Sequence, residues 1–375
     1  TLRHSVTPAC EGRRMTLPRA IQVHTDTTPY YHCILRCVRQ AFLMGVDHTT
    51  QRCFDHRKQW VVDELATLER IFAVDVCAYA VMSNHVHLVL RLDPASSQDW
   101  TRAELLSRAR QLFPMALQGA EVAGTLDEQV ALYRERLSSL SWFMRCLNER
   151  IARRANREDG CHGRFWEGRF KSRPLLDAGA LLTCMSYVDL NPVYAGLTDS
   201  LAGSDFSSIQ ERLAAVGRTL RRVATAAADD AVDDPVRLVP RGPRLMAFED
   251  ESASSRQASP PSAATLPFSL HGYVELVRFS GQAIRGDKRG ALPATLAQLV
   301  TEVGLRADTW GESLRGLGAV CFAALGERHL IDTEAVRRGR TRASGAHWVK
   351  RAYPPPGRPR ITAESETPLV RASAA

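Results

Sequence analysis

The sequence predicts an α+β fold: an antiparallel sheet crossed by amphipathic helices, followed by a small, mostly helical module. Three observations predict it. Residues 74–82 and 85–90 each carry a period-two pattern, with only Ser83-Asn84 between them, which reads as a hairpin. Residues 56–72 and 127–157 place apolar side chains at helical spacing. A low-complexity break begins at Ala226 and runs to about residue 264, after which helical stripes resume.

The elements follow in order. Residues 30–38 (Tyr-Tyr-His-Cys-Ile-Leu-Arg-Cys-Val) read as a first strand. Trp60, Val61, Leu65, Leu68 and Phe72 stripe the first helix. The second strand puts Val74, Val76, Ala78, Ala80 and Met82 on one face. Residues 93–126 read as an insertion, with Leu105, Leu106, Ala109, Leu112 and Phe113 marking a packing helix. One long amphipathic helix is expected over 127–157 and a short strand near 169–175. A further helix starts at Asp177, whose side chain suits an N-cap, and Pro192 marks its end. The order is βαββαβ followed by a helix.

Beyond this lies the break. Ala226-Ala-Ala-Asp-Asp-Ala-Val-Asp-Asp is acidic, and Ser/Pro/Ala-rich sequence follows Glu249, so residues 221–266 read as a flexible linker. Residues 267–335 read as the helical module, with Val274, Leu276, Val277 and Phe279, then Leu296, Leu299, Val300 and Val303, then Leu314, Leu317, Val320 and Cys321 as stripes. Gly281–Gly290 is a basic loop within it. Residues 336–375 read as a disordered basic tail: Val336 to Arg360 holds no acidic residue. Residues 1–27 precede the first domain, and Met15-Thr-Leu-Pro-Arg looks like a natural start, which sets residues 1–14 aside.

Two motifs carry chemistry. In Asn84-His85-Val86-His87-Leu88-Val89-Leu90, alternate side chains share a face, so His85 and His87 point one way and Val86, Leu88 and Leu90 the other. Two imidazoles side by side form a metal-binding pair. In Met185-Ser-Tyr187-Val-Asp-Leu-Asn191-Pro, Tyr187 and Asn191 are four apart and share a helix face. A tyrosine hydroxyl can act as a nucleophile, and an amide oxygen can complete a metal site. Each motif alone has a plain reading: surface histidines, a core tyrosine, a residue before a proline turn.

Three stretches in order carry a resemblance: Tyr79-Ala-Val-Met-Ser-Asn-His85-Val-His87-Leu-Val-Leu, Gly168-Arg-Phe-Lys-Ser-Arg173, and Tyr187-Val-Asp-Leu-Asn-Pro-Val-Tyr-Ala-Gly196-Leu. Together they resemble the single-tyrosine HUH transposases, and most the REP-associated tyrosine transposases, over about residues 28 to 215. Ser83 stands where many relatives carry proline before Asn-His. The resemblance implies a ferredoxin-like catalytic domain over 28–220. It implies cleavage of single-stranded hairpin or repeat DNA by Tyr187, through a 5′-phosphotyrosine that leaves a free 3′-hydroxyl. It implies Mg²⁺ or Mn²⁺ held by His85 and His87, with Asn191 as third ligand. Monomer and homodimer both stay open.

DNA would need cations. The chain of 375 residues holds 49 Lys+Arg against 41 Asp+Glu, a net +8. In Arg164-Phe-Trp166-Glu-Gly-Arg169-Phe-Lys171-Ser-Arg173, cations alternate with aromatics that could stack on bases. Arg153 and Arg154 near the end of the preceding helix, and Arg337, Arg338 and Arg340 in the tail, are further candidates. No phosphate-binding loop of the Walker type, no zinc-finger cysteine spacing and no long apolar segment is present. Nine scattered cysteines suit a reducing, cytoplasmic setting; the resemblance implies a nucleoid-associated protein of a bacterial cell. Two rival readings use the same residues: a nucleic-acid-binding regulator without cleavage, and a metal-dependent hydrolase with water as nucleophile.

Overall fold

Strand β3 (His85–Leu92) decides the architecture, because its two faces differ. Val86, Leu88 and Leu90 point to one side; His85, His87 and Val89 point to the other. Strand β1 (Tyr30–Arg36) pairs antiparallel with it, setting Ile34 opposite His87 and Arg36 opposite His85. Strand β2 (Val74–Val81) joins β3 as a hairpin, with Ala80 opposite His87. Strand β4 (Lys171–Pro174) pairs with the outer edge of β1, with Arg173 opposite His32. The result, in a computed structural model, is a four-stranded antiparallel sheet in the order β2-β3-β1-β4 within an α+β fold. The structure describes residues 22–47, 51–114, 125–227, 242–254, 264–285, 291–319 and 323–355.

The face carrying Val86, Leu88 and Leu90 is covered by helices α1 (His56–Ile71) and α4 (Leu140–Glu158). Leu65 and Leu68 of α1 and Phe143 and Leu147 of α4 are buried there. Helices α2 (Arg102–Leu112) and α3 (Leu126–Leu137) add Leu105, Tyr133 and Leu137 to the same core. The expected single helix over 127–157 is instead two. Ser139 is extended and accepts a hydrogen bond from the Trp142 backbone, so it caps a new helix and breaks the old one. The expected single face for the second strand is also corrected. A register shift between Val76 and Ala78 adds a residue, which turns Val74 and Val76 to one core and Ala78, Ala80 and Met82 to the other.

The opposite face is covered by α5 (Ala178–Asp189). Asp177 caps it, accepting from the Ala180 N–H at 2.7 Å. Pro192 does not simply end it: α5 stops at Asp189, and Pro192 opens a one-turn helix, α6 (Asn191–Tyr194). Helix α7 (Ser208–Ala227) follows and runs past the expected boundary at 220.

The C-terminal part is helical. It comprises α8 (Glu249–Ser254), α9 (Leu270–Arg285), α10 (Ala294–Glu302), α11 (Trp310–Ala319), α12 (Arg328–Arg337) and α13 (Ala346–Ala352). Its described residues form no separate core: Tyr273, Val277, Trp310, Leu314, Leu317 and Trp348 share one apolar cluster with Leu181, Met185 and Val188 of α5. A separate module was expected because helical stripes do not reveal what they face. The linker expectation is corrected over 242–254 and 264–266, where Met246, Phe248 and Leu266 are buried; 228–241 and 255–263 lie outside the described residues. The tail expectation is corrected over 336–355. Trp348, Val349 and Tyr353 are buried there, and apolar burial of that kind orders the chain. Residues 356–375, and 286–290 of the basic loop, lie outside the described residues.

Candidate active site

The site forms where β1, β3 and α5 meet. Period-two alternation turns His85 and His87 to the face that α5 covers, and helical geometry brings Tyr187 down onto them. The His85 and His87 ring centroids are 4.9 Å apart, and His87 and Tyr187 are 5.6 Å apart, both edge to face. Residues a hundred positions apart in sequence are thus in contact. Asn191 is buried one turn beyond Tyr187, and its Nδ2 donates to the Tyr187 carbonyl at 2.8 Å, so its amide oxygen is the atom that could ligate a cation.

Two residues at the site were not singled out in the sequence. His32 of β1 is fully buried; its Nε2 lies 2.9 Å from His87 Nδ1, and its ring is 6.4 Å from that of Tyr187. It sat unmarked inside an apolar strand. Arg36, opposite His85 in the β1–β3 ladder, is exposed at the rim. A third neighbour comes from the C-terminal helices: a Cβ built on Gly318 of α11 would stand 3.3 Å from the Tyr187 hydroxyl.

Electrostatics follow from burial and two guanidinium groups. Burial, helped by Arg36, holds His85 down to about 4. Burial and the neighbouring histidines hold His87 well below its ordinary value, and burial and Arg173 do the same for His32. All three are neutral near pH 7, and a neutral imidazole keeps one nitrogen lone pair; those of His85 and His87 are the candidates for a cation. Burial raises the Tyr187 phenol, while Arg173 and Arg36 pull it back. Arg173 is buried on the same sheet face.

A stability prediction arises here. A histidine whose folded pKa is depressed contributes stability that is complete above its unfolded value of about 6.5 and is lost as pH falls through that value towards the folded one. The protein is therefore expected to lose thermal stability as pH drops from 6.5 towards 4. A His85→Gln/His87→Gln variant should show a shallower loss over that window in thermal melts at stepped pH. Equal slopes would mean the two imidazoles do not titrate as buried groups.

A divalent cation suits this donor set in part. His85 Nδ1 lies 2.7 Å from Asn84 Oδ1, an acceptor, so its proton sits on Nδ1 and the Nε2 lone pair faces out. Among the described residues no group of three or more His, Cys, Asp or Glu side chains converges as a metal site. A third protein donor would have to be of another type, and the Asn191 amide oxygen qualifies.

The expected DNA contacts divide. Arg164, Arg169 and Lys171 are exposed near β4. Trp166 is corrected: it is buried, with its indole N–H donating to the Asn148 carbonyl at 3.1 Å, so its ring is part of the core. Arg153 and Arg154 lie on α4, on the far side of the sheet from Tyr187, paired with Glu149 and stacked over Trp60 respectively. Arg337 and Arg338 are corrected as arm residues, because both bind the buried Glu334, and Arg338 also donates to the carbonyls of Ala323 and Gln22. Burial pushes Glu334 up, but the two guanidinium groups outweigh it and hold the carboxylate ionised. Arg340 is half-buried in the turn after α12.

No helix among the described residues is long and apolar enough to cross a membrane. No protein-family model matches the chain. No curated protein matches it either. A solved structure of a REP-associated tyrosine transposase bound to a REP hairpin aligns with 50% of this chain and 81% of its own, at 12% identity and a TM-score of 0.31. A likeness that slight carries no weight for fold or activity.

Proposed function

We propose that this chain is a metal-assisted strand transferase and endonuclease of single-stranded hairpin or repeat DNA, with Tyr187 as nucleophile. One observation carries the reading: the two strand histidines and the helix tyrosine meet on one sheet face, with His87 and Tyr187 rings 5.6 Å apart. A plain core tyrosine has no need of a neutral histidine pair beside it. The strand order β4-β1-β3-β2, with α1 and α4 on one face and the site on the other, also agrees with the ferredoxin-like domain that the sequence resemblance implies.

The chain's own groups divide the work. The Tyr187 oxygen attacks phosphorus and loses its proton as the P–O bond forms; the P–O3′ bond breaks, and the leaving oxygen takes a proton to become a 3′-hydroxyl. Arg173 and Arg36 lower the cost of phenolate character and attract the phosphodiester. His85, His87 and Asn191 would hold Mg²⁺ or Mn²⁺. Such a cation, when bound, neutralises phosphate charge and polarises a phosphoryl oxygen. Arg164, Arg169 and Lys171 would follow the strand away from the site.

The test is a covalent-adduct assay. Wild type and Tyr187→Phe are incubated with labelled single-stranded hairpin DNA from beside the gene, with Mg²⁺ or Mn²⁺, and run on a denaturing gel. A shifted band with wild type alone is the expected result. A band with both would move the nucleophile to Tyr194, whose ring lies 6.3 Å from that of Tyr187. Cleavage without an adduct, surviving in Tyr187→Phe, would favour the hydrolase reading. Tight binding without cleavage would favour the regulator.

A further inference from the structure

We propose that His32 is a positioning residue for His87: it accepts the Nδ1–H of His87 and so holds the tautomer whose Nε2 lone pair faces the site. The proposal rests on the metal-binding reading of His85 and His87 given above.

The geometry is specific. His32 Nε2 lies 2.9 Å from His87 Nδ1, both side chains are buried, and the two ring planes are 19° from parallel. A neutral imidazole has one donor and one acceptor nitrogen, so one ring of the pair must donate and the other accept. His85 sets the standard for its partner. Its Nδ1 is committed to Asn84, so its Nε2 carries the lone pair. For His87 to offer a matching lone pair, its proton must also sit on Nδ1, and the group facing that proton is His32. His32 then accepts at Nε2 and carries its own proton at Nδ1, a buried atom with no hydrogen-bond partner among the described residues.

Metal-binding histidines usually donate their second N–H to a carboxylate, a carbonyl or water. Here an imidazole takes that place, and the substrate gives the reason. A carboxylate beside His87 would put a negative charge under a site that must receive a phosphodiester. A neutral imidazole orients the ring without repelling the anion. His32 does not itself serve as a third ligand on this geometry, since its Nε2 is taken by His87 and, among the described residues, no three such side chains converge on a metal position.

The experiment measures Mn²⁺ binding to the full-length protein from the loss of the free-ion EPR signal. His32→Phe keeps a ring but removes the acceptor; His32→Gln restores an acceptor through its amide oxygen. His32→Phe is expected to bind about 10- to 100-fold more weakly than wild type, the usual effect of losing an outer partner. His32→Gln should recover most of that loss, with both variants checked for intact melting. Wild-type affinity in His32→Phe, or an equal loss in both variants, would overturn the proposal. His87→Ala separates it from the underlying reading. If that variant binds Mn²⁺ like wild type, the metal site falls and His32 falls with it. Should His32→Phe not fold, ¹⁵N histidine spectra of the wild-type protein with Mg²⁺ decide instead. Nδ1–H tautomers at both His87 and His32 support the assignment, and an Nε2–H tautomer at His87 refutes it.

Discussion

Gly318→Leu is expected to reduce adduct formation by Tyr187 at least about 100-fold, the scale associated with a misplacement of about 1 Å at a reacting group. The cause is steric. A Cβ at position 318 would already stand 3.3 Å from the Tyr187 hydroxyl and 3.4 Å from its ring edge. Alanine asks the ring to give by a few tenths of an ångström; leucine must displace it from His87 or push α11 away. Gly318→Ala is the matched control. It lies in the last turn of α11, where replacing glycine gains at most part of the roughly 1 kcal/mol of a helix interior. The alanine variant should thus melt no lower than wild type and keep most of the activity, while the leucine variant loses activity. Single-turnover adduct formation, run beside thermal melts of both variants, reads this directly. Equal activity of the leucine variant and wild type would mean that α11 stands clear of Tyr187 during the reaction.

Asp189→Ala should be the most damaging single change to stability, at roughly 3–5 kcal/mol in urea unfolding, because it orphans several buried donors at once. The carboxylate is fully buried two residues after Tyr187. It accepts from the Tyr273 hydroxyl at 2.5 Å, from the Ile209 N–H at 3.0 Å and from the Ser208 hydroxyl. These partners lie on α9 and α7, so one side chain ties the tyrosine helix to both. Burial raises Asp189 to about 6 despite those donors. A carboxyl raised in the folded state binds its proton more tightly than in the unfolded chain, so its share of stability declines as pH rises from about 4 through 6. Asp189→Asn, which does not titrate, should lack that decline. A destabilisation below about 1 kcal/mol for Asp189→Ala, the net contribution of a typical hydrogen bond, would show that Tyr273 and Ser208 find other partners.

The alternating pattern of β3, the stripe of α1 and the Asp177 cap were legible in the sequence because each is a local property. Side-chain period in a strand or helix follows from backbone geometry alone, so the shared face of His85 and His87 could be read without knowing the fold. What escaped was of two kinds. The bulge after Val76 and the break at Ser138-Ser139 are local, but their cost is small beside the packing that selects them, and periodicity does not register an inserted residue. His32, Arg36 and Gly318 escaped for a different reason. None carries a pattern, and each matters through a neighbour 49 or more residues away.

The same distinction separates the cations. Arg164, Arg169 and Lys171 are exposed, as a polar segment would be anywhere. Arg338 and Trp166 looked equally available in one dimension and are buried in three, because Glu334 and the Asn148 carbonyl supply the partners that make burial affordable.

By itself, then, the sequence determined the α+β class, the order of the strands along the chain, the facing of the histidine pair and the residue types able to do phosphoryl chemistry. These depend on backbone period and side-chain chemistry, which are written residue by residue. Tertiary structure alone decided that Tyr187 lies against His87, that His32 backs it, and that the C-terminal helices share a core with α5 and bring Gly318 to the tyrosine. Those facts depend on which apolar faces bury one another. That choice is made by shape and by the matching of buried polar groups across the whole chain, and no segment encodes it alone.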